Sequence, residues 1–322
     1  MALSQAHEDL ARALSDRYEI LSEIGRGGFA TVYLARDRRH NSRVAVKVLR
    51  SDFAANIAGM RFTREMQIAA NLQHPNVVPL LDSGEANGVP YYVMPFIEGE
   101  SLAVRIKREG PLAIDEAVRL ISEVAEGLHY AHSQGFVHRD IKPENILLSH
   151  GHALVADFGV AHAIDVTGSE RITDSGMALG TVAYMSPEQA SGARIDARAD
   201  LYSLACVAYE ALSGTPPFSG PSAQAIMARH AVDPPPSLRT IRPSVSEPLE
   251  AAIMRGLSKV PVDRHANAAD FRADILRGAL APATTSTARR ALGSRRRSVA
   301  LVTGALALLA AAAVWLTTLG GE

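Results

Sequence analysis

The stretch Val137-His138-Arg139-Asp140-Ile141-Lys142-Pro143-Glu144-Asn145-Ile146-Leu147-Leu148 restricts the fold more than any other. It sets Asp140, Lys142 and Asn145 within six residues, between apolar runs. Polar groups crowded between buried elements are costly unless paired or used. The segment therefore reads as a loop that a scaffold displays for chemistry. A second carboxylate, Asp157 in Asp157-Phe158-Gly159, follows the strand-like run Ala153-Leu154-Val155-Ala156. A carboxylate and an amide oxygen in one place suit Mg²⁺, a hard cation that prefers oxygen ligands and phosphates.

The chain on either side of this loop differs in kind. From Tyr18 to Leu49 short β-rich runs are broken by glycines, with Thr31-Val32-Tyr33-Leu34 and Val44-Ala45-Val46-Lys47-Val48-Leu49 as strands. Gly25-Arg26-Gly27-Gly28 between strands permits a tight turn whose N–H groups approach phosphates. Lys47 is a cation on a strand, placed to reach under that turn. Arg61–Leu72 has helical spacing of Phe62, Met66, Ile68 and Leu72, and carries Glu65 as a counter-charge for Lys47. Tyr91-Tyr92-Val93-Met94 returns to strand character, and this first part ends near Pro95. Beyond Gly99 the periodicity is helical over Ile114–Gln134, Ala199–Leu212, Ala223–Ala231, Glu247–Leu257 and Ala268–Leu280. The expected architecture is α+β in two lobes, residues 18–95 and 99–280, after an N-terminal extension over 1–17.

Composition bears on the ends. Residues 281–322 hold five Arg and one Glu, leaving 28 Lys+Arg against 33 Asp+Glu in residues 1–280. An acidic body argues against a nucleic-acid-binding face. No signal peptide opens the chain, since Ala6–Leu14 includes His7, Glu8, Asp9 and Arg12. The single cysteine, Cys206, lies in an apolar helical stretch and reads as core. Residues 281–298 read as a flexible basic linker. Val299–Leu319 is 21 residues without a charge, enough at ~1.5 Å per residue to cross ~30 Å of hydrocarbon. The expectation is a transmembrane helix with the body on the cytoplasmic side, the arginines preceding it, and residues 320–322 outside. The chain would then sit in the cytoplasmic membrane as a single-pass protein. A second copy could pair through the small-residue helix, although Leu308 follows Gly304 at four positions and the two-glycine motif is absent.

Taken in order, Gly25-x-Gly27, Val44-Ala45-Val46-Lys47, Glu65, His138-Arg139-Asp140 with Asn145, Asp157-Phe158-Gly159 and Ser186-Pro187-Glu188 resemble the eukaryotic-like (Hanks-type) protein kinase family, and within it the bacterial membrane-anchored Ser/Thr kinases. The resemblance spans Tyr18 to Ala279 and implies the two-lobed kinase fold and transfer of the ATP γ-phosphoryl to protein Ser/Thr hydroxyls. It implies that Lys47, held by Glu65, contacts the α and β phosphates. Asn145 and Asp157 would hold Mg²⁺, with Mn²⁺ admissible. Asp140 would take or orient the substrate hydroxyl proton, and Lys142 would steady the γ-phosphate. For the nucleotide it implies Ile24, Gly25, Gly27, Gly28, Val32, Ala45 and Leu147 as walls, Met94 as gatekeeper and Pro95 and Ile97 as hinge. Glu188 with Arg264 resembles a structural ion pair, and Asp200 the aspartate that fastens the catalytic loop.

Two residues depart from the pattern: Ala30 stands for the third glycine and Ser186 for the usual alanine. A methyl at 30 is harmless unless that residue needs positive φ. Arg139 beside Asp140 suggests control by phosphorylation of the loop Val160–Met185, with Thr173 and Ser175 preferred and Thr181 left to bond the catalytic loop. The rival reading is an ATP-binding pseudokinase scaffold. His129-x-x-His132 and His150-x-His152 lack the further ligands that a zinc site needs.

Overall fold

The computed structural model describes residues 5–28, 30–50, 66, 70–158 and 182–282. The first lobe is a five-stranded antiparallel sheet in the order β1-β2-β3-β5-β4, from β1 (Tyr18–Arg26), β2 (Ala30–Asp37), β3 (Ser42–Leu49), β4 (Asp82–Ala86) and β5 (Val89–Pro95). Because side chains alternate along a strand, the sheet has two distinct faces. Tyr33, Ala35, Val44, Val46 and Val93 bury one face with Tyr18, Ala86 and Leu10 and Leu14 of helix α1 (Gln5–Leu14). The other face carries Ala30, Leu49 and Tyr92, which pack with Met66 and the half-buried Met94, and with them Val32, Ala45 and Lys47. The N-terminal extension expected from the sequence thus contains a helix that helps to close the sheet.

The second lobe begins with β6 (Glu100–Ser101), which joins β7 (Ile146–Ser149) and β8 (His152–Val155) in a three-stranded sheet. Just before it, Gly99 has φ +146° and a Cβ there would lie 1.9 Å from the Leu148 carbonyl, so only glycine fits. The helices are α2 (Leu102–Glu109), α3 (Ile114–Ser133), α4 (Pro187–Ala190), α5 (Arg198–Ser213), α6 (Ala223–Val232), α7 (Leu238–Ile241), α8 (Glu247–Gly256) and α9 (Ala268–Leu280). Their starts follow capping chemistry: the side chains of Ser101, Ser186, Ser222, Ser246 and Asn267 each accept a backbone N–H of the first turn. Helix α5 is buried along most of its length and forms the centre of the helical core with α3, α8 and α9. Cys206 is fully buried there, and burial pushes its thiol pKa up. The five helices expected from periodicity match α3, α5, α6, α8 and α9 within one residue at each end.

Glu188 on α4 and Arg264 form the expected buried pair, with Nη1–Oε1 2.7 Å and Nη2–Oε2 2.8 Å. The guanidinium also donates to the carbonyls of Ser258 and Arg198, both at 2.8 Å, and lies 4.9 Å from the centre of the Tyr202 ring. Every strong donor is satisfied, which is the condition for burying such a charge.

The expectation of a membrane-spanning helix is corrected. Residues 299–319 lie outside the described residues, and no described helix is long and apolar enough to cross a membrane. The longest, α3, carries Asp115, Glu116, Arg119, Glu123 and Glu126 and turns an amphipathic face to the core. The architecture supported is the two-lobed fold alone, and the membrane as partner, pairing through that helix and the cytoplasmic-membrane location fall with the helix on which they depended. By internal contacts the chain divides between Ala281 and Pro282.

Replacing Glu188 by Ala would leave Arg264 buried and uncompensated. The expected loss of stability is about 3–5 kcal/mol, read as a lower urea midpoint with an unchanged m-value.

Candidate active site

Gly25, Gly27 and Gly28 lie where β1 gives way to β2. None of Gly25, Gly27 and Gly28 takes a left-handed φ, so they are not needed for a strained turn. What they provide is space: a Cβ on Gly28 would meet nothing within 4 Å, and the Gly27 N–H closes the turn onto the Ala30 carbonyl at 2.9 Å. Ala30 likewise has no positive φ, and its methyl is buried against Leu49, Met66 and Tyr92. That departure from the third glycine is accommodated as core.

The residues expected to line a nucleotide pocket lie in or beside β1, β2, β3, β5 and β7. Gly25 pairs with Val32 across β1–β2, and Ala45 pairs with Met94 across β3–β5. Ile24 is exposed. Pro95 ends β5 opposite Val44, and the Ile97 N–H has no hydrogen-bond partner among the described residues. Leu147 lies below, in β7, paired with Ser101 and Leu154.

Lys47 sits directly opposite Tyr92 in the β3–β5 register, and both reach Asp157. Lys47 Nζ is 2.6 Å from Asp157 Oδ2, and the Tyr92 hydroxyl donates to Oδ1 at 2.7 Å. Burial would raise the Asp157 pKa; the Lys47 charge and hydrogen bond, the Tyr92 hydrogen bond and nearby His138 outweigh it and hold the carboxyl below its ordinary value. Tyr92 moves the other way: burial and the adjacent Asp157 charge push its phenol well above the usual range, so it remains a donor. Asp157 itself has φ +69°, a conformation that aspartate tolerates better than most residues. Phe158 then anchors the turn, packed edge-on to His138 with ring centres 4.6 Å apart.

Facing this group is the loop 138–145, held from beneath. Asp200 on α5 is fully buried and accepts the His138 N–H at 2.8 Å and the Arg139 N–H at 2.7 Å, while His132 Nε2 donates to it at 2.8 Å. Burial alone would raise the Asp200 pKa, but His132, His138 and these bonds lower it. Arg139 has φ +68°. Its N–H is held by Asp200 and its carbonyl accepts Gln189 Nε2 at 2.7 Å, so a left-handed non-glycine residue is clamped at both ends. Gln189 is fixed in turn: its Oε1 accepts from the Ser186 N–H at 3.1 Å and Oγ at 3.0 Å. This gives the serine before Pro187 a structural task. His138 Nδ1 accepts the Asp140 N–H at 3.2 Å, so Nε2 carries the proton donated to the Ala156 carbonyl at 2.9 Å.

The clamp presents Asp140. Lys142 Nζ lies 2.8 Å from Asp140 Oδ2, and Asn145 Nδ2 donates to Asp140 O at 2.8 Å and Oδ2 at 3.0 Å. With its nitrogen committed, Asn145 has its oxygen for a cation. An ionised Asp157 and this amide oxygen form a hard donor set that fits Mg²⁺.

Glu65, Gly159, Thr173, Ser175 and Thr181 lie outside the described residues. Two residues here were not anticipated from sequence. Alternation along β5 sets Tyr92 on the face of Met94, and an inward tyrosine needs a partner for its hydroxyl; that signal was present. Gln189 had none beyond the capping-box spacing from Ser186. Of the histidine pairs, His132 serves Asp200 and His152 Nδ1 meets Glu123 at 2.9 Å.

A β-sheet lobe over a helical lobe, with a lysine from one and a clamped polar loop from the other meeting in the cleft, defines the class of two-lobed kinases. The chain belongs to the protein kinase domain family, whose model matches residues 18–274. It is 44% identical over 272 residues to the serine/threonine-protein kinase PknB of Mycolicibacterium smegmatis, covering 82% of this chain and 43% of that protein. It is 41% identical over 268 residues to the serine/threonine-protein kinase PrkC of Bacillus subtilis, covering 83% and 41%. The chain thus matches less than half the length of these relatives. Among solved structures it resembles Rad53 1–466 in complex with AMP-PNP, with TM-score 0.69 and 26% identity over 84% of this chain and 68% of that one.

The lowered pKa of Asp200 sets a pH dependence. Its stabilising contribution is present above the ordinary carboxylate range and is lost as pH falls through the depressed value. Asp200→Asn is expected to cost about 2–3 kcal/mol at neutral pH. Urea melts from pH 7 down to pH 3 should show the gap between the two proteins narrowing at the acid end.

Proposed function

We propose that this chain is an ATP-dependent Ser/Thr protein kinase whose reaction centre is Asp140 with Lys142 and Asn145, opposed by Lys47 and Asp157. The observation that carries the reading is the clamped loop: Arg139 held at both backbone groups, with Asp140 directly following and bonded to Lys142 and Asn145. A loop built this way is pre-organised, and catalysis of phosphoryl transfer is mostly positioning and charge stabilisation.

In this reading Lys47 binds the α and β phosphates under the β1–β2 turn, where the glycines leave room. Asn145 and Asp157 hold Mg²⁺, which when bound neutralises phosphate charge. Asp140 orients the acceptor hydroxyl and takes its proton as the oxygen attacks the γ-phosphorus. The bond from that phosphorus to the β–γ bridging oxygen breaks and ADP departs. Lys142 balances the negative charge on the γ-phosphoryl during transfer. The adenine lies against Val32, Ala45 and Leu147, with the Pro95 carbonyl and the Ile97 N–H as its hydrogen-bonding edge; proline suffices where only a carbonyl is required. Lysine two residues after Asp140 supports serine or threonine as acceptor. PknB and PrkC, both named serine/threonine-protein kinases, support the same class. A pseudokinase scaffold would not need Asp140, Lys142 and Asn145 assembled in this way.

Arg139 supports control by phosphorylation. Its Nε is buried with no hydrogen-bond partner among the described residues, and a phosphate on Thr173 or Ser175 would supply one. Phosphopeptide mapping of the wild type and Asp140→Asn should find these sites modified only in the former; equal modification of both would reject autophosphorylation.

The activity itself is read by incubating the chain with Mg²⁺, γ-labelled ATP and a protein acceptor. Label is expected on Ser or Thr, falling by at least about 10³-fold in Lys47→Met and Asp140→Asn. Nucleotide binding without transfer in the wild type would favour the scaffold.

A further inference from the structure

We infer that Tyr92 is the positioning residue for the Asp157 carboxylate, and that its hydroxyl sets how readily the site takes a divalent cation with nucleotide. The inference rests on the kinase reading, in which Asp157 is a metal ligand.

Tyr92 is 2% exposed, and a hydroxyl at that depth must be paired to be tolerated. Its bond is to Asp157 Oδ1 at 2.7 Å, an ordinary length for a hydroxyl donor and compatible with an ionised acceptor. The sheet register makes the arrangement rigid. Tyr92 and Lys47 are cross-strand partners on one face, with Lys47 Nζ 5.8 Å from the tyrosine ring centre. Two adjacent strands therefore deliver one donor to each oxygen of the same carboxylate.

The two donors differ in what they can do next. Lys47 carries its charge on a flexible four-carbon stem, and phosphate oxygens would draw it away. Tyr92 is fixed in the sheet, apolar around its ring, and holds Oδ1 when Lys47 has left. That hold keeps the carboxylate of a residue at φ +69° from rotating about its own bonds and leaves Oδ2 for a cation. Carboxylates that ligate metals are commonly hydrogen-bonded by such a supporting group, and losing it typically costs 10–100-fold in metal affinity.

The test compares the wild-type chain with Tyr92→Phe, which removes one oxygen and keeps the ring. Calorimetry with AMP-PNP, first without metal and then across a Mg²⁺ titration, separates nucleotide contact from metal contact. The expected result is equal metal-free affinity and a Mg²⁺ midpoint at least about tenfold higher in the variant. Incorporation of 4-aminophenylalanine at position 92, which restores an N–H donor at the ring's far end, should return the midpoint toward wild type. 4-Fluorophenylalanine fills the volume without donating and replaces the Phe variant if thermal melts show that one unfolded. A wild-type Mg²⁺ midpoint in a well-folded non-donating variant would overturn the inference and leave the kinase reading standing. A wild-type protein whose nucleotide affinity ignores Mg²⁺ would remove the metal role of Asp157, and the inference with it.

Discussion

One buried carboxylate underlies the site. Asp200 reaches the loop from α5, the most enclosed of the described helices, and accepts two consecutive amides at His138 and Arg139. Consecutive N–H groups converge on one acceptor only if the chain bends sharply, and the φ of +68° at Arg139 is that bend. A bulky non-glycine residue resists this conformation by itself. The bonds to Asp200, strong because the acceptor is charged, and the bond from Gln189 to the Arg139 carbonyl supply what holds it. Asp140 inherits its direction from this bend. Without Asp200, neither the contact of Asp140 with Lys142 nor that with Asn145 has a fixed origin.

The first lobe meets this loop through strand periodicity. A period of two divides its sheet into a face that buries Tyr33, Val44 and Val46 under α1 and a face that presents Lys47 and Tyr92 to the cleft. A one-residue slip between β3 and β5 would exchange the faces and put Lys47 beneath the helix. Burial of the first face therefore also determines where the ammonium of Lys47 can be. Packing and chemistry are set by the same register.

Much of this could be read in the chain beforehand. The long helices of the second lobe announced themselves through apolar periods, because each buries a stripe too wide to be accidental. Asp140, Asn145 and Asp157 stood out as polar residues in apolar surroundings. Helix α1 did not: Ala6–Leu14 carries four charged or titratable residues, and among its described side chains the buried ones, Leu10 and Leu14, stand just one turn apart. Its place depends on the sheet it covers, a tertiary fact. The glycines of the β1–β2 turn permit the tight turn expected of them without any left-handed φ, and a Cβ on Gly28 would still meet nothing within 4 Å. Gln189 was invisible because its target, a carbonyl fifty residues earlier, is adjacent only after folding.

Helix α1 also separates two meanings of a domain. The family's match begins at Tyr18, where the shared strand begins, yet the folded body begins at least as early as Leu10, whose side chain sits in the same cluster as Tyr18 and Val93. A fragment trimmed to the matched segment would keep every residue assigned to chemistry. It would also expose an aromatic and aliphatic face that the intact chain keeps dry, a surface fit for association with other exposed chains. The segment that the family shares and the segment that closes the first sheet are thus different lengths of the same polypeptide.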